Sequence, residues 1–187
     1  MVKIRKGFVS NSSSSSFVCD ITGHTESGWD MSLSEVDMYE CENGHTFLRE
    51  YALFSDDIRS QILELFEEDI KEYNGESLWE DLQTAESLED FGDVEEFSYS
   101  LPECACPICT FKVYSESDMK LFMKKKYGVS EDDAFAEVKA LNKRRKKLYN
   151  TEYVTYVCKI ENTTVDLELE EMQKFGVYSK FREYLRS

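Results

Sequence analysis

CENGH, residues 41–45, and CPIC, residues 106–109, are the two stretches that decide the fold of this chain. Sixty residues separate them, and each is a short turn that offers two metal-ligating side chains. Zinc takes four such donors in a tetrahedron. The glycine at position 44 allows a tight first turn, and the proline at 107 stiffens the second. The pattern predicts one structural zinc ion, whose ligands are Cys41, His45, Cys106 and Cys109.

The residues around CENGH predict a β-hairpin. Apolar and polar side chains alternate between residues 34 and 51, and Asn43-Gly44 is a favoured hairpin turn. This turn places both of its metal-ligating residues at the tip of the hairpin. CPIC lies just before residues 110–114, which read as a strand. Zinc bound to both stretches would therefore staple together two segments that are distant in the chain.

Helical patterns fill most of the remaining chain. A cap at Ser55 begins a run of apolar residues at helical spacing that ends at Asn74-Gly75. Caps at Ser115 and Ser130 begin two further helices, and residues 153–160 alternate as a strand that carries Cys158 into the core. A terminal helix follows, and its apolar stripe consists of Tyr178, Phe181, Tyr184 and Leu185.

The fold class that these patterns predict is α+β. It comprises a small zinc-stapled β-hairpin core, an acidic helical insertion at residues 46–101 and a helical C-terminal half. We expect residues 1–110 to form an N-terminal zinc-knuckle region that includes the insertion. Residues 111–187 would form an α+β C-terminal region that packs with the first as one globular unit.

Charge is strongly segregated along the chain. The formal net charge is -16, and residues 46–101 alone hold 17 acidic and three basic side chains. Residues 111–150 have the opposite balance, with 11 basic and six acidic side chains. Such an acidic surface disfavours nucleic acid phosphate and anionic lipid, so we expect a basic protein partner.

Two other interpretations of the cysteines stay open. In the first, Cys19 and His24 complete a site with Cys41 and His45, which leaves Cys104 to join CPIC in a second site. In the other, the cysteines are small buried hydrophobic residues and the histidines are ordinary polar residues.

The N-terminal stretch GFVSNSSSSSF, residues 7–17, resembles a header shared by many uncharacterised proteins of bacteriophages and their bacterial hosts. The resemblance covers about a tenth of the chain and implies an origin but no activity. In that family a second cysteine is expected near position 22, where this chain has Thr22. The spacing of the two metal-ligating stretches is similar to that of zinc ribbons and treble clefs.

The sequence favours a non-enzymatic zinc protein that acts through protein–protein interaction. We expect it in the cytoplasm, of a bacterial host if it is phage-encoded, because we find neither a signal peptide nor the roughly 20 apolar residues of a membrane span. Reducing conditions there favour metal ligation over disulfides.

Two alternative functions stay open. One is a weak nucleic acid contact through a basic cluster made up of Lys143, Arg144, Arg145, Lys146 and Lys147. The other is a zinc deaminase or hydrolase, which His24-Thr25-Glu26 and CPIC imitate only in part.

Overall fold

The computed structural model describes residues 14–94, 100–149 and 164–187, and it has the mixed α and β content that the sequence predicts. Its described strands form two separate antiparallel hairpins. In the second hairpin, Tyr39 pairs with Phe47 and the N–H of Cys41 donates to the carbonyl of His45, so the loop spans residues 42–44 and is one residue longer than a two-residue turn at Asn43-Gly44. The strands are β1 (Ser14–Val18), β2 (Thr25–Trp29), β3 (Met38–Glu40) and β4 (Thr46–Leu48).

Three of the helices begin at the serine caps that the sequence indicates, Ser55, Ser115 and Ser130. The hydroxyl of Ser55 accepts from the N–H of Ile58, and the hydroxyl of Ser115 accepts from the N–H of Asp118. A π-helical turn, Ile70–Asn74, extends the first helix to the predicted end. The helices are α1 (Asp56–Asp69), α2 (Glu76–Leu82), α3 (Glu116–Tyr127), α4 (Glu131–Tyr149), α5 (Thr164–Gln173) and α6 (Tyr178–Arg186).

Backbone hydrogen bonds join the hairpins to each other and to the segment before CPIC. The N–H of Asp20 donates to the carbonyl of Thr46 over 2.7 Å, which links the two hairpins. Leu101 forms a parallel bridge with Cys41, and its N–H donates to the carbonyl of Glu40 over 2.9 Å. A 3-10 turn, Glu103–Ala105, then leads into CPIC. These contacts place CPIC beside the tip of the β3–β4 hairpin.

The predicted strand at residues 110–114 is wrong, because the structure has a turn there. Phe111 adopts a left-handed φ of 54°, and the N–H groups of Lys112 and Val113 both donate to the carbonyl of Pro107. The apolar side chains that suggested a strand are buried by packing around this turn. The strand predicted at residues 153–160, including Cys158, lies outside the described residues.

One hydrophobic core includes side chains from both predicted regions. Ile62 and Phe91 from the acidic insertion belong to it, and so do Phe122 and Phe181 from the helical half. The terminal stripe is placed as predicted, with two of its residues buried and the other two packed against the core. The division of the chain at residue 110 stays a prediction. No helix in the described part of the chain is both long and apolar enough to cross a membrane.

Candidate metal centre

The structure brings together the four residues of the first zinc assignment. Cys41, His45, Cys106 and Cys109 are all buried, and their donor atoms all lie within 4.8 Å of one another. Two of them come from the tip of the β3–β4 hairpin and two from the CPIC turn, which are separated by 60 residues of chain. A cluster of three thiols and one imidazole is a donor set suited to zinc.

Four of the six distances between these donors are close to the edges of a tetrahedral zinc site. His45 Nδ1 lies 3.4 Å from the sulfur of Cys41, 3.4 Å from that of Cys109 and 3.8 Å from that of Cys106. The sulfurs of Cys41 and Cys109 are 3.8 Å apart. Ordinary zinc bond lengths in a tetrahedron give edges of about 3.5 Å for nitrogen to sulfur and about 3.8 Å for sulfur to sulfur. The residues present therefore fit zinc in both chemistry and spacing.

Local backbone geometry presents the donors on each side. In the hairpin tip, the N–H of Gly44 donates to the carbonyl of Cys41 over 2.7 Å, and the φ of Gly44 is 79°. In the CPIC turn, the N–H of Cys109 points at the sulfur of Cys106 over 3.5 Å. The left-handed Phe111 then turns the chain away from the cluster. Each turn therefore aims two donors at the same point.

The far side of the His45 ring is held by a hydrogen-bonded pair of side chains. Nε2 lies 2.7 Å from the hydroxyl of Tyr178, and this hydroxyl donates to Asp118 Oδ2 over 2.6 Å. We infer from this network that Nε2–H donates to the tyrosine, so that Nδ1, which faces the three sulfurs, is the nitrogen that gives up its proton to bind a metal ion. Such partners orient a metal-ligating histidine and make it a better ligand.

The sulfur side of the cluster has its own support. The side-chain amide of Asn43 donates to the sulfur of Cys109 over 3.4 Å. Arg182 in turn donates to the amide oxygen of Asn43 over 3.1 Å. Helix α6 therefore reaches the site twice, through Tyr178 at its start and Arg182 one turn later.

The electrostatics of the cluster favour the charged forms of Cys41 and His45 only, because burial raises the pKa of the Cys106 thiol and hydrogen bonds to Cys106 and Cys41 raise the pKa of the Cys109 thiol. Hydrogen bonds from Cys106 and Cys109 hold the pKa of the Cys41 thiol far below its ordinary value. Burial alone lowers the pKa of His45, but its hydrogen bonds to Asp118 and to the cysteines outweigh burial and raise the pKa to about 12. A site that holds a proton between a thiolate and an imidazole can hold a metal cation in the same place.

The residues of the alternative metal assignment lie elsewhere. Cys19 is buried but does not belong to the cluster, and Cys104 is half-buried outside it. His24 is exposed, and its Nε2 pairs with the carboxylate of Glu26 over 2.7 Å. The partial deaminase pattern therefore does not converge on the cluster. In the basic cluster, Lys143 is exposed on α4, and the side chains of residues 144–147 are outside the described part.

Sequence reasoning missed the residues that support the ligands. Asp118 was visible only as part of a helix cap, and Tyr178 only as part of an apolar stripe. Asn43 was visible only as a turn residue. Their shared role depends on contacts between residues up to 139 positions apart, which no local pattern encodes.

The comparisons with known proteins do not extend these findings. No family model, curated protein or solved structure matches the chain. The resemblance of the N-terminal header therefore stays a prediction.

Proposed function

We propose that the protein binds one structural zinc ion at the Cys41, His45, Cys106 and Cys109 cluster and acts, without catalysis, as a cytoplasmic binding protein for a basic protein partner. The observation that carries this proposal is the tetrahedral spacing of four buried donors. With four protein ligands the ion has no open position for water or substrate. Its contribution is folding free energy, on the order of 10 kcal/mol in small zinc domains.

The charge of the acidic insertion supports a basic partner. Two of its three cations pair with acidic residues of the insertion itself: Lys71 pairs with Glu67 over 2.8 Å, and Arg59 pairs with Asp56 over 3.0 Å. Thirteen of the acidic residues between positions 56 and 93 are exposed. Two large apolar side chains on the same segment are also exposed, Leu65 by 62% and Tyr73 by 68%. Acidic groups with exposed apolar side chains among them match a partner that is both basic and amphipathic.

Affinity capture with charge-reversed variants tests the interaction. Glu64 and Glu68 lie one turn apart on α1 and are exposed, so their double change to Lys reverses part of the acidic surface without touching the core. The same change at Glu170 and Glu183, which are exposed outside the insertion, is the matched control. We expect basic proteins in a bacterial lysate to be captured by the wild type and the control and lost with the insertion variant.

Equal capture by all three proteins would contradict a role for the acidic insertion. Recovery of nucleic acid at physiological salt, lost when residues 143–147 are neutralised, would favour the nucleic acid alternative instead.

A further inference from the structure

The tip of the β3–β4 hairpin contains an Asn-Gly pair, which is a chemically reactive dipeptide. The backbone nitrogen of its glycine can attack the side-chain carbonyl carbon of the asparagine, because glycine has no side chain to hinder the approach. The chain contains two such pairs, Asn43-Gly44 and Asn74-Gly75. The first lies between two residues of the metal cluster, and the second ends the π-helical turn of the acidic insertion.

Hydrogen bonds hold the reactive groups of the first pair apart from each other. The side-chain amide of Asn43 donates to the sulfur of Cys109 over 3.4 Å, and its oxygen accepts from Arg182 over 3.1 Å. The N–H of Gly44 donates to the carbonyl of Cys41 over 2.7 Å. Attack requires the Asn43 side chain to turn towards the Gly44 nitrogen, which these contacts prevent. The reaction therefore needs the tip to open first.

We propose that Asn43 is a deamidation site whose reaction is held back by these hydrogen bonds in the closed cluster, so that release of the metal leads to irreversible loss of the site. Once the tip opens, the Gly44 nitrogen bonds to the side-chain carbon of Asn43. The side-chain nitrogen leaves as ammonia and takes the proton of Gly44 with it. Asn43 is half-buried and Gly44 is exposed, so water reaches the cyclic imide and opens it to aspartate or isoaspartate.

Both products damage the cluster. An aspartate at position 43 has no N–H to donate to the sulfur of Cys109 and adds a negative charge beside the thiols. An isoaspartate carries the main chain through the former side chain, which lengthens the backbone between Cys41 and His45. The longer tip no longer aims both donors at the same point. The pair therefore limits how long a metal-free copy of the protein keeps its ability to bind metal.

Peptide mass spectrometry of the intact protein, incubated at neutral pH with and without a metal chelator, tests the proposal. Asn74 is the internal control, because it is exposed in the same dipeptide and its amide donates to the carbonyl of Asp93 over 3.1 Å. We expect chelator to speed the conversion of Asn43 at least about tenfold, since opening then no longer breaks two side-chain hydrogen bonds. The rate at Asn74 should change by less than about twofold.

Arg182→Met tests the same protection without removing metal. Methionine keeps an unbranched side chain but cannot donate to the oxygen of Asn43. The conversion of Asn43 should become about threefold faster or more without chelator. Arg186→Met is the matched control, since Arg186 is exposed in the last turn of the same helix. Circular dichroism checks folding, and the chelator experiment on the wild type needs no variant.

Adding zinc back after incubation measures the consequence for the site. The fraction of chains that bind zinc again should equal the fraction in which Asn43 is unconverted. This readout rests on the proposed zinc ion, whereas the Arg182→Met experiment does not.

Three results would overturn the proposal. They are equal acceleration at Asn43 and Asn74 by chelator, an unchanged rate at Asn43 in both experiments, and full zinc binding by converted chains. Acceleration by Arg182→Met alone would uphold the protection by hydrogen bonds and would contradict the bound metal of the proposed function instead.

Discussion

At the scale of single residues, the cluster depends on how its one imidazole is oriented. His45 has two ring nitrogens, and only the arrangement with Nδ1 towards the sulfurs completes a tetrahedron. Tyr178 and Asp118 enforce this arrangement from the other side of the ring. The ring of Tyr178 also meets that of His45 edge to face, with centroids 4.8 Å apart.

Tyr178→Phe should therefore weaken metal binding without unfolding the protein. The ring packing remains, but Nε2 of His45 loses its nearer acceptor and keeps only Asp118 Oδ2 at 3.4 Å. Loss of such a partner lowers metal affinity about 10- to 100-fold. Competition with a chromogenic chelator measures the change. Tyr184→Phe is the matched control, since this ring also packs in α6 but lies against Phe122, away from the cluster. Equal affinity of the two variants would show that the tyrosine hydroxyl does not orient the ligand.

Gly44 carries a second prediction at this scale. Its φ of 79° is strained for any residue with a Cβ, although a Cβ there would meet no atom within 4 Å. Gly44→Ala should lower the free energy of unfolding by about 1–2 kcal/mol through backbone strain alone. Gly44→Asn should cost less, because asparagine tolerates this conformation. Denaturant unfolding measures both, and equal losses would point to a cause other than strain.

At the scale of secondary-structure elements, short sequence signals correctly predicted the elements that depend only on neighbouring residues. The Asn43-Gly44 turn and the serine caps are short-range features, and the β3–β4 hairpin and helices α1 and α3 follow them. The strand predicted at residues 110–114 is wrong. These residues are apolar because their side chains are buried around a turn, and burial in a turn gives the same sequence pattern as a buried strand. The pairing of CENGH with CPIC could be predicted from the sequence, because a structural zinc ion requires four donors and each stretch supplies only two.

Helix α6 illustrates what the sequence could not supply. Its apolar stripe predicted a helix packed on a core, and the structure has Phe181 fully buried there. Nothing in that stripe indicated that Tyr178 and Arg182 reach the metal cluster. Their partners are 133 and 139 residues away, so the contact exists only in the folded chain.

Metal removal should loosen α6 before the remainder of the fold. The helix touches the cluster through hydrogen bonds to His45 and Asn43, and both of these belong to the hairpin tip that the metal orders. We expect chelator to increase amide hydrogen exchange in residues 178–186 more than in α1, which lies outside the cluster. Uniform exchange across both helices would contradict a specific link between the cluster and α6.

At the scale of the whole molecule, the metal joins the two ends of the acidic insertion. The acidic insertion lies between the two ligand-bearing stretches, and the formal charge of -16 opposes compaction through self-repulsion. The shared core offsets this repulsion, and a divalent cation bound by residues from both ends of the insertion would also oppose it.

Raising the ionic strength screens the repulsion between acidic residues, so salt should raise the thermal midpoint of the metal-depleted protein. Thermal melts at low and high salt check this, and an unchanged midpoint would contradict it.

Elemental analysis of the purified protein, prepared without added metal, tests the central claim most directly. We predict one zinc ion per chain in the wild type and in Cys104→Ser, whose cysteine lies outside the cluster. Cys106→Ser removes one ligand and should lose most of the zinc and lower the thermal midpoint. A wild-type protein that is metal-free and fully stable, or a Cys106→Ser variant with unchanged zinc content and midpoint, would contradict the account.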